Sequence, residues 1–145
     1  MCPLNLSHFS TCMEVMTTHR PSHSILIVDD NAYVRKALVQ LLTSECDFQI
    51  CGEASNGHEA VEKAEQFQPD LIILDFSMPF MNGLEAAQEI KCLMPAIPVI
   101  MYTAFWDSFV EAQALKAGVS AFISKAQDSA TLVSTARALL TRKAA

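Results

Sequence analysis

Two apolar runs in this chain end in acid. Ile25, Leu26, Ile27 and Val28 lead into Asp29 and Asp30, and Leu71, Ile72, Ile73 and Leu74 lead into Asp75. Strands of a sheet buried on both faces read as continuous apolar runs, and their carboxyl ends open onto the crevice where such sheets hold ligands. The three carboxylates are therefore expected to be neighbours. Crowded anions repel, so the cluster either takes up protons, with raised pKa values, or holds a cation. Two more polar residues follow the same rule: Thr103 comes directly after Val99, Ile100, Met101 and Tyr102, and Lys125 after Phe122, Ile123 and Ser124.

Hard oxygen ligands in this number suit magnesium, which takes one or two carboxylates and keeps several waters that substrate oxygens can replace. Those incoming oxygens would belong to a phosphoryl group. A lysine offers a compact positive charge and a threonine a neutral hydroxyl donor, both matched to oxygens whose charge spreads during phosphoryl transfer. Asp75 is the carboxylate free to act as nucleophile, since carboxylates form phospho-aspartyl groups. The set predicts phosphoryl transfer to an aspartate.

Short apolar runs alternate with longer amphipathic ones from Ile25 onward, the pattern of a parallel sheet wrapped by helices. Strands are predicted over residues 24–28, 48–53, 71–74, 98–102 and 121–124. Val34, Ala37, Leu38, Leu41 and Leu42 mark one face of the first of five helices, and Leu132, Val133, Ala136, Leu139 and Leu140 one face of the last. Three helix starts carry a capping residue followed three positions later by glutamate: Asn56 with Glu59, Asn82 with Glu85, and Ser108 with Glu111. Gly118 is the expected stop of the fourth helix. The fold class is α/β, a doubly wound, five-stranded parallel sheet with helices on both faces.

The ordered set resembles the receiver domain of two-component response regulators, from Ile25 to about Arg142. The likeness rests on the acidic pair in ILIVDD, the acceptor in LIILDFSMPFMNG, the hydroxyl residue in VIMYTA and the lysine in AFISK. The wording of MNGLEA and GVSAFISK is most similar to the branch that usually carries a helix-turn-helix output domain. The resemblance implies a flavodoxin-like (βα)5 fold and assigns roles. Asp75 would accept the phosphoryl group from a histidine kinase. Mg2+ would be held by Asp30 directly, Asp29 mainly through water, Asp75, and the backbone carbonyl of Ser77. Lys125 and Thr103 would engage the phosphoryl group, and Phe122 would swing inward as the switch aromatic. Met78 and Pro79 would shape the loop after the acceptor, which Asn82 and Gly83 turn into the third helix. Ser77 and Phe105 would set how long the phosphoryl group lasts. The readout would be a changed surface around the fourth helix, fifth strand and fifth helix, available to a downstream output protein or domain, or to a second copy in a phosphorylation-dependent homodimer. The implied activity would be that of a signalling phosphoacceptor which catalyses its own phosphotransfer and slow dephosphorylation rather than that of an enzyme.

Two rivals are weighed against this reading. A pseudo-receiver, acting only by contact, would not need the intact acidic pair, acceptor, threonine and lysine. A phosphohydrolase working through an aspartyl phosphate would in its best-known family want a second acid two residues after the nucleophile, where Ser77 stands. Many receivers have proline directly after the lysine; here the residue is Ala126, so a looser loop is expected.

The remaining features set limits. With 145 residues, half of them apolar, one domain with a proper core is expected. Residues 1–23 show no period and read as an extension, residues 24–142 as the domain, and residues 143–145 as a tail. Met13 and Met16 lie inside the extension, so a start codon set too far upstream would also account for it. The chain is expected to be either a stand-alone receiver or a piece of a longer regulator. A net charge of -6 argues against direct nucleic-acid binding, which rests on Lys and Arg neutralising phosphates. Five cysteines without paired metal spacing suit a reducing cytoplasm and act as small hydrophobes. No stretch has the length of a membrane span. His58 falls on the solvent side of the second helix and offers no rival chemistry.

Overall fold

The computed structural model describes residues 22–104 and 106–144. Five strands and five helices alternate: β1 (His23–Val28), α1 (Ala32–Thr43), β2 (Phe48–Ala54), α2 (Gly57–Phe67), β3 (Leu71–Leu74), α3 (Gly83–Leu93), β4 (Val99–Thr103), α4 (Ser108–Lys116), β5 (Ala121–Ser124) and α5 (Ser129–Ala144). All strand pairs are parallel and the order across the sheet is β2-β1-β3-β4-β5, the flavodoxin-like doubly wound arrangement. The observed strands differ from the expected ones by one residue at some ends. β1 begins at His23, inside the expected extension, β4 is displaced one residue forward to end on Thr103, and α5 runs to Ala144 inside the expected tail. The rest of the extension, including Cys2, Cys12, Met13 and Met16, lies outside the described residues.

Alternation along the strands builds two cores. Leu26, Val28, Ile72, Leu74, Val99 and Met101 face α2, α3 and α4, whose contact residues are mostly small: Ala60, Ala64, Ala86, Ala87 and Ala114. Small residues let these three helices lie close to the sheet. Ile25, Ile27, Leu71, Ile73, Ile100 and Ile123 face α1 and α5 through Leu38, Leu42, Leu132, Ala136 and Leu140. Every residue of β3 is buried, as its unbroken apolar composition requires. Ala37, expected on the core face of α1, is exposed, because the stripe formed by Val34, Leu38, Leu41 and Leu42 turns it outward.

Helix starts follow the capping rules with two corrections. Asn82 and Glu85 form a full reciprocal box at the head of α3. Asn56 accepts from the Glu59 N–H, but the Glu59 carboxylate turns to the N–H and hydroxyl of Ser55. Those bonds hold its pKa below the usual glutamate value. The cap of α4 is Asp107 rather than Ser108: its carboxylate accepts from the N–H groups of Phe109 and Val110, while Glu111 accepts from the Trp106 indole. Gly118 takes a φ of +103 directly after the Ala117 cap, as expected for the stop of that helix.

Arg137 ties α5 to the turn before β2, with two donors on Asp47 and one on Glu45 and its guanidinium over the Phe48 ring. Those partners raise the Arg137 pKa further. Cys46 and Cys51 are partly packed, whereas Cys92 is exposed, which departs from a purely hydrophobic role for it. Among the described residues no helix is long and apolar enough to cross a membrane.

Candidate functional site

The sheet places each polar strand-end residue through its own backbone. The parallel ladders continue one residue past the last pairs: the Asp29 N–H donates to Ala54 O at 3.0 Å, the Asp75 N–H to Val28 O at 3.0 Å, and the Lys125 N–H to Thr103 O at 2.8 Å. Val28 is in register with Leu74, so Asp29 and Asp75 emerge side by side from adjacent central strands. Thr103 pairs with Ser124, which brings Lys125 out one step beyond the threonine. The order of strands therefore does what sequence spacing alone could not, bringing residues 29, 75, 103 and 125 to one mouth.

Asp29, Asp75 and Thr103 are buried, and Asp30 is exposed at the rim. Lys125 Nζ reaches across to Asp29 Oδ2 at 2.6 Å and stands 3.8 Å from Asp75 Oδ1. The other Asp29 oxygen accepts from the Asn31 N–H at 2.9 Å. Burial, and then the negative charge of Asp29, push the Asp75 carboxyl above the usual aspartate pKa. Lys125, the Thr103 hydroxyl and the Ser77 N–H oppose them. A rise in the Asp75 pKa is in the direction of one of the two responses expected of a crowded acidic cluster.

Its other response is to take a cation, and the donor set fits one. Asp29, Asp30 and Asp75 each offer an oxygen, all within 4.8 Å of one another. Oxygen atoms gathered this closely could be drawn around one small divalent ion. Three carboxylates against Lys125 leave an excess of negative charge that a divalent ion would balance. These residues could hold the ion, and Ser77, exposed in the loop after Asp75, could add an oxygen.

That loop is held by close approach. A Cβ on Gly83 would lie 2.2 Å from the Asp75 carbonyl oxygen and 2.7 Å from Phe76 Cα, so only glycine lets the head of α3 press onto the backbone of Asp75 and Phe76. The Gly83 N–H donates to Phe76 O at 2.8 Å, while Met78 packs into the core. Phe122 is partly buried against the α2–α3–α4 core. Phe105 lies outside the described residues. Arg35 was not singled out from sequence: its Nη1 donates to the Asp29 carbonyl at 2.7 Å and its Nε to Glu53 at 3.0 Å, fixing the loop that carries the acidic pair. Its position on the first turns of the helix after the two acids was the available signal. His58 is exposed, as expected.

The family model of the response regulator receiver domain matches residues 25–137. The chain belongs to that family. Among curated relatives it is 40% identical over 101 residues to the chemotaxis protein CheY of Thermotoga maritima, covering 70% of this chain and 83% of that one. It is 38% identical over 109 residues to the transcriptional regulatory protein LnrK of Bacillus subtilis, covering 75% of this chain and 50% of that one. The chain thus spans half the length of LnrK. Among solved structures, a LuxR-family two-component response regulator from Aurantimonas superposes with a TM-score of 0.80 at 28% identity, covering 83% of this chain and 86% of that one. The response regulator domain of Thermotoga maritima CheB gives 0.77 at 32% identity, with 83% and 97% covered.

Proposed function

We propose that this receiver domain accepts a phosphoryl group on Asp75 and signals through protein contact. The observation that supports this most is the convergence of Asp29, Asp30, Asp75, Thr103 and Lys125 from four strand ends on one pocket. An Asp75 carboxylate oxygen would attack the phosphorus of a histidine kinase's phosphohistidine, the P–N bond would break, and the leaving imidazole would keep the electron pair and take up a proton. The product is an acyl phosphate.

When bound, Mg2+ supplies positive charge beside the phosphoryl oxygens and balances the three carboxylates. Asp29, Asp30, Asp75 and the Ser77 carbonyl would hold it. The solved structure of a CheX–CheY–BeF3–Mg2+ complex from Borrelia burgdorferi, 30% identical with a TM-score of 0.78, supports the same chemistry for this pocket. Lys125 would leave Asp29 for a phosphoryl oxygen, and Thr103 would donate its hydroxyl to another. Phe122 would follow the threonine inward, changing the surface of α4, β5 and α5. Ser77 and Phe105 would modulate the lifetime of the acyl phosphate through water access. An added charge of about -1.5 to -2 rewards the conformation that gathers these donors, shifting a population already present. Likeness to LuxR-family regulators, including a DNA-binding one from Staphylococcus aureus at 33% identity, supports a DNA-binding output partner, and the switched surface would also serve a second copy in a phosphorylation-dependent homodimer.

The test is an intact-mass spectrum after incubation with acetyl phosphate and Mg2+, beside Asp75→Asn and a chelated control. The expected result is one added phosphoryl group that needs both Asp75 and metal. No gain in folded protein would overturn the reading in favour of a pseudo-receiver.

A further inference from the structure

Ala126 follows Lys125, and the looser loop expected there is not what the chain forms. Residues 124–127 close a turn on three hydrogen bonds. The Gln127 N–H donates to Ser124 O at 3.0 Å, the Ala126 N–H to Ser124 Oγ at 3.1 Å, and the Ser124 N–H to the Gln127 side-chain Oε1 at 3.0 Å. No residue of the turn has a positive φ, and serine holds the first position, which it favours in such turns. Ser124 ends β5, an edge strand: the ladder to β4 continues through the Lys125 N–H, 2.8 Å from Thr103 O, and the Ser124 N–H is left to the open side. Gln127, itself exposed, satisfies that donor with its own side chain. Beyond the turn, Asp128 accepts from the Ala130 N–H at 3.2 Å at the head of α5, whose Leu132, Ala136 and Leu140 lie in the core. The turn is therefore anchored on both sides, by the sheet and by α5.

Lys125 is the second residue of this turn. Its stem is long and flexible, yet its ammonium is placed: 2.6 Å from Asp29, 3.8 Å from Asp75 and 6.0 Å from the centre of the Tyr102 ring, a cation over an aromatic face. A head that passes from Asp29 to a phosphoryl oxygen on Asp75 swings about its own Cα. The place of that Cα decides whether both ends of the swing are within reach.

We propose that Gln127 is a positioning residue for phosphoryl transfer: by closing the turn on the Ser124 N–H, it fixes the Cα from which Lys125 reaches Asp29 and the phosphoryl group. The proposal rests on the phosphoacceptor reading above and adds to it a residue whose side chain bonds outside the pocket. Loss of the Gln127 oxygen leaves the turn two bonds and returns the Ser124 N–H to water, which disturbs the fold little because a surface donor finds water in its place. The rate is more sensitive, since small displacements of a group that engages the reacting atoms slow a reaction steeply.

The experiment uses the full chain and three variants: Gln127→Met, which keeps the side chain's length without its oxygen, Gln127→Glu, which keeps an acceptor, and Lys125→Met, which assigns the Lys125 signal. Loading by acetyl phosphate with Mg2+ is timed by intact mass. The Lys125 ε-methylene resonance is read by NMR, where Asp29 and the Tyr102 ring set it apart from that of free lysine. Gln127→Met is expected to load about five-fold more slowly than wild type, with Mg2+ affinity and urea midpoint close to wild type and its Lys125 resonance moved toward free lysine. Gln127→Glu should bring the rate to within about two-fold of wild type and the resonance back to its wild-type place. An unchanged rate in Gln127→Met, a Gln127→Glu as slow as Gln127→Met, a slowing matched by a fall in urea midpoint, or a wild-type resonance already at the free-lysine position would overturn the proposal. Failure of the phosphoacceptor reading would show separately, as wild type that is not loaded at all while its Lys125 resonance still responds to Gln127→Met.

Discussion

Lys125 Nζ is bonded to Asp29 at 2.6 Å and stands 3.8 Å from Asp75, so its hydrogen bond goes to one carboxylate of the cluster while its charge reaches both. The pairing spans 96 positions of sequence and bridges β5 to β1 across β3 and β4. Burial and the charge of Asp29 still push the Asp75 carboxyl above its usual pKa, with Lys125 opposing them.

Removing that lysine exposes what it offsets. Lys125→Met should cost about 2 kcal/mol in urea unfolding under chelating conditions, because breaking a largely buried pair strands a charge. Excess Mg2+ should restore most of the loss, and the variant should bind Mg2+ more tightly than wild type. A variant as stable as wild type in chelator would refute the pairing's importance.

The Asp75 carboxyl gives a pH dependence of definite sign. Its folded pKa lies above its unfolded value of about 3.9, so the native state favours the protonated form. The resulting stabilisation is fully present below the unfolded pKa and is lost as pH rises through the folded one. In chelator, Asp75→Asn should therefore melt higher than wild type at neutral pH, with the difference closing toward pH 4 as wild type gains its proton. Thermal scans of both proteins across that range check this, and a gap that widened on acidification would contradict it.

Gly83→Ala should destabilise the fold by about 2 kcal/mol or more despite alanine's better helix propensity. The added methyl would stand 2.2 Å from the Asp75 carbonyl, and the backbone there has no slack. The head of α3 must retreat and carry the acceptor loop with it, so Mg2+ affinity should fall in the same variant. Unfolding together with Mg2+ titration of Trp106 fluorescence measures both effects, Trp106 being the sole tryptophan.

Asp107→Ala should cost about 1 kcal/mol, the usual loss for an N-cap, whereas Ser108→Ala should lie within about 0.5 kcal/mol of wild type. The reverse order would restore Ser108 as the cap. Two adjacent residues able to cap made this point ambiguous in sequence. Asp107 prevails where the chain is extended at its position and its negative charge meets the positive end of α4.

The fold was largely legible because its signals are local. Unbroken apolar runs marked β1 and β3, cap and glutamate pairs marked the heads of α2 and α3, and Gly118 marked a stop. Each depends on residues within a few positions of one another. Ala37, assigned to the core face of α1 from the helical period, is exposed because alanine is equally at home on either face of a helix. Arg35 was passed over because a basic residue on an early helical turn looks like any solvated one until its Asp29 contact is seen.

By itself the sequence determined which residues stand at strand ends, and therefore which could do chemistry together: Asp29, Asp30, Asp75, Thr103 and Lys125. The tertiary structure decided which of them meet. Placing β3 beside β1, rather than after β2, puts Asp75 next to Asp29, and the return of β5 beside β4 carries Lys125 back to a carboxylate 96 positions away. The close seat of Gly83 against Asp75 belongs to the same class. Capping and hydrophobic period are encoded within a turn or two of chain, whereas distances between strand ends depend on the crossover path of the whole sheet, which no local pattern specifies.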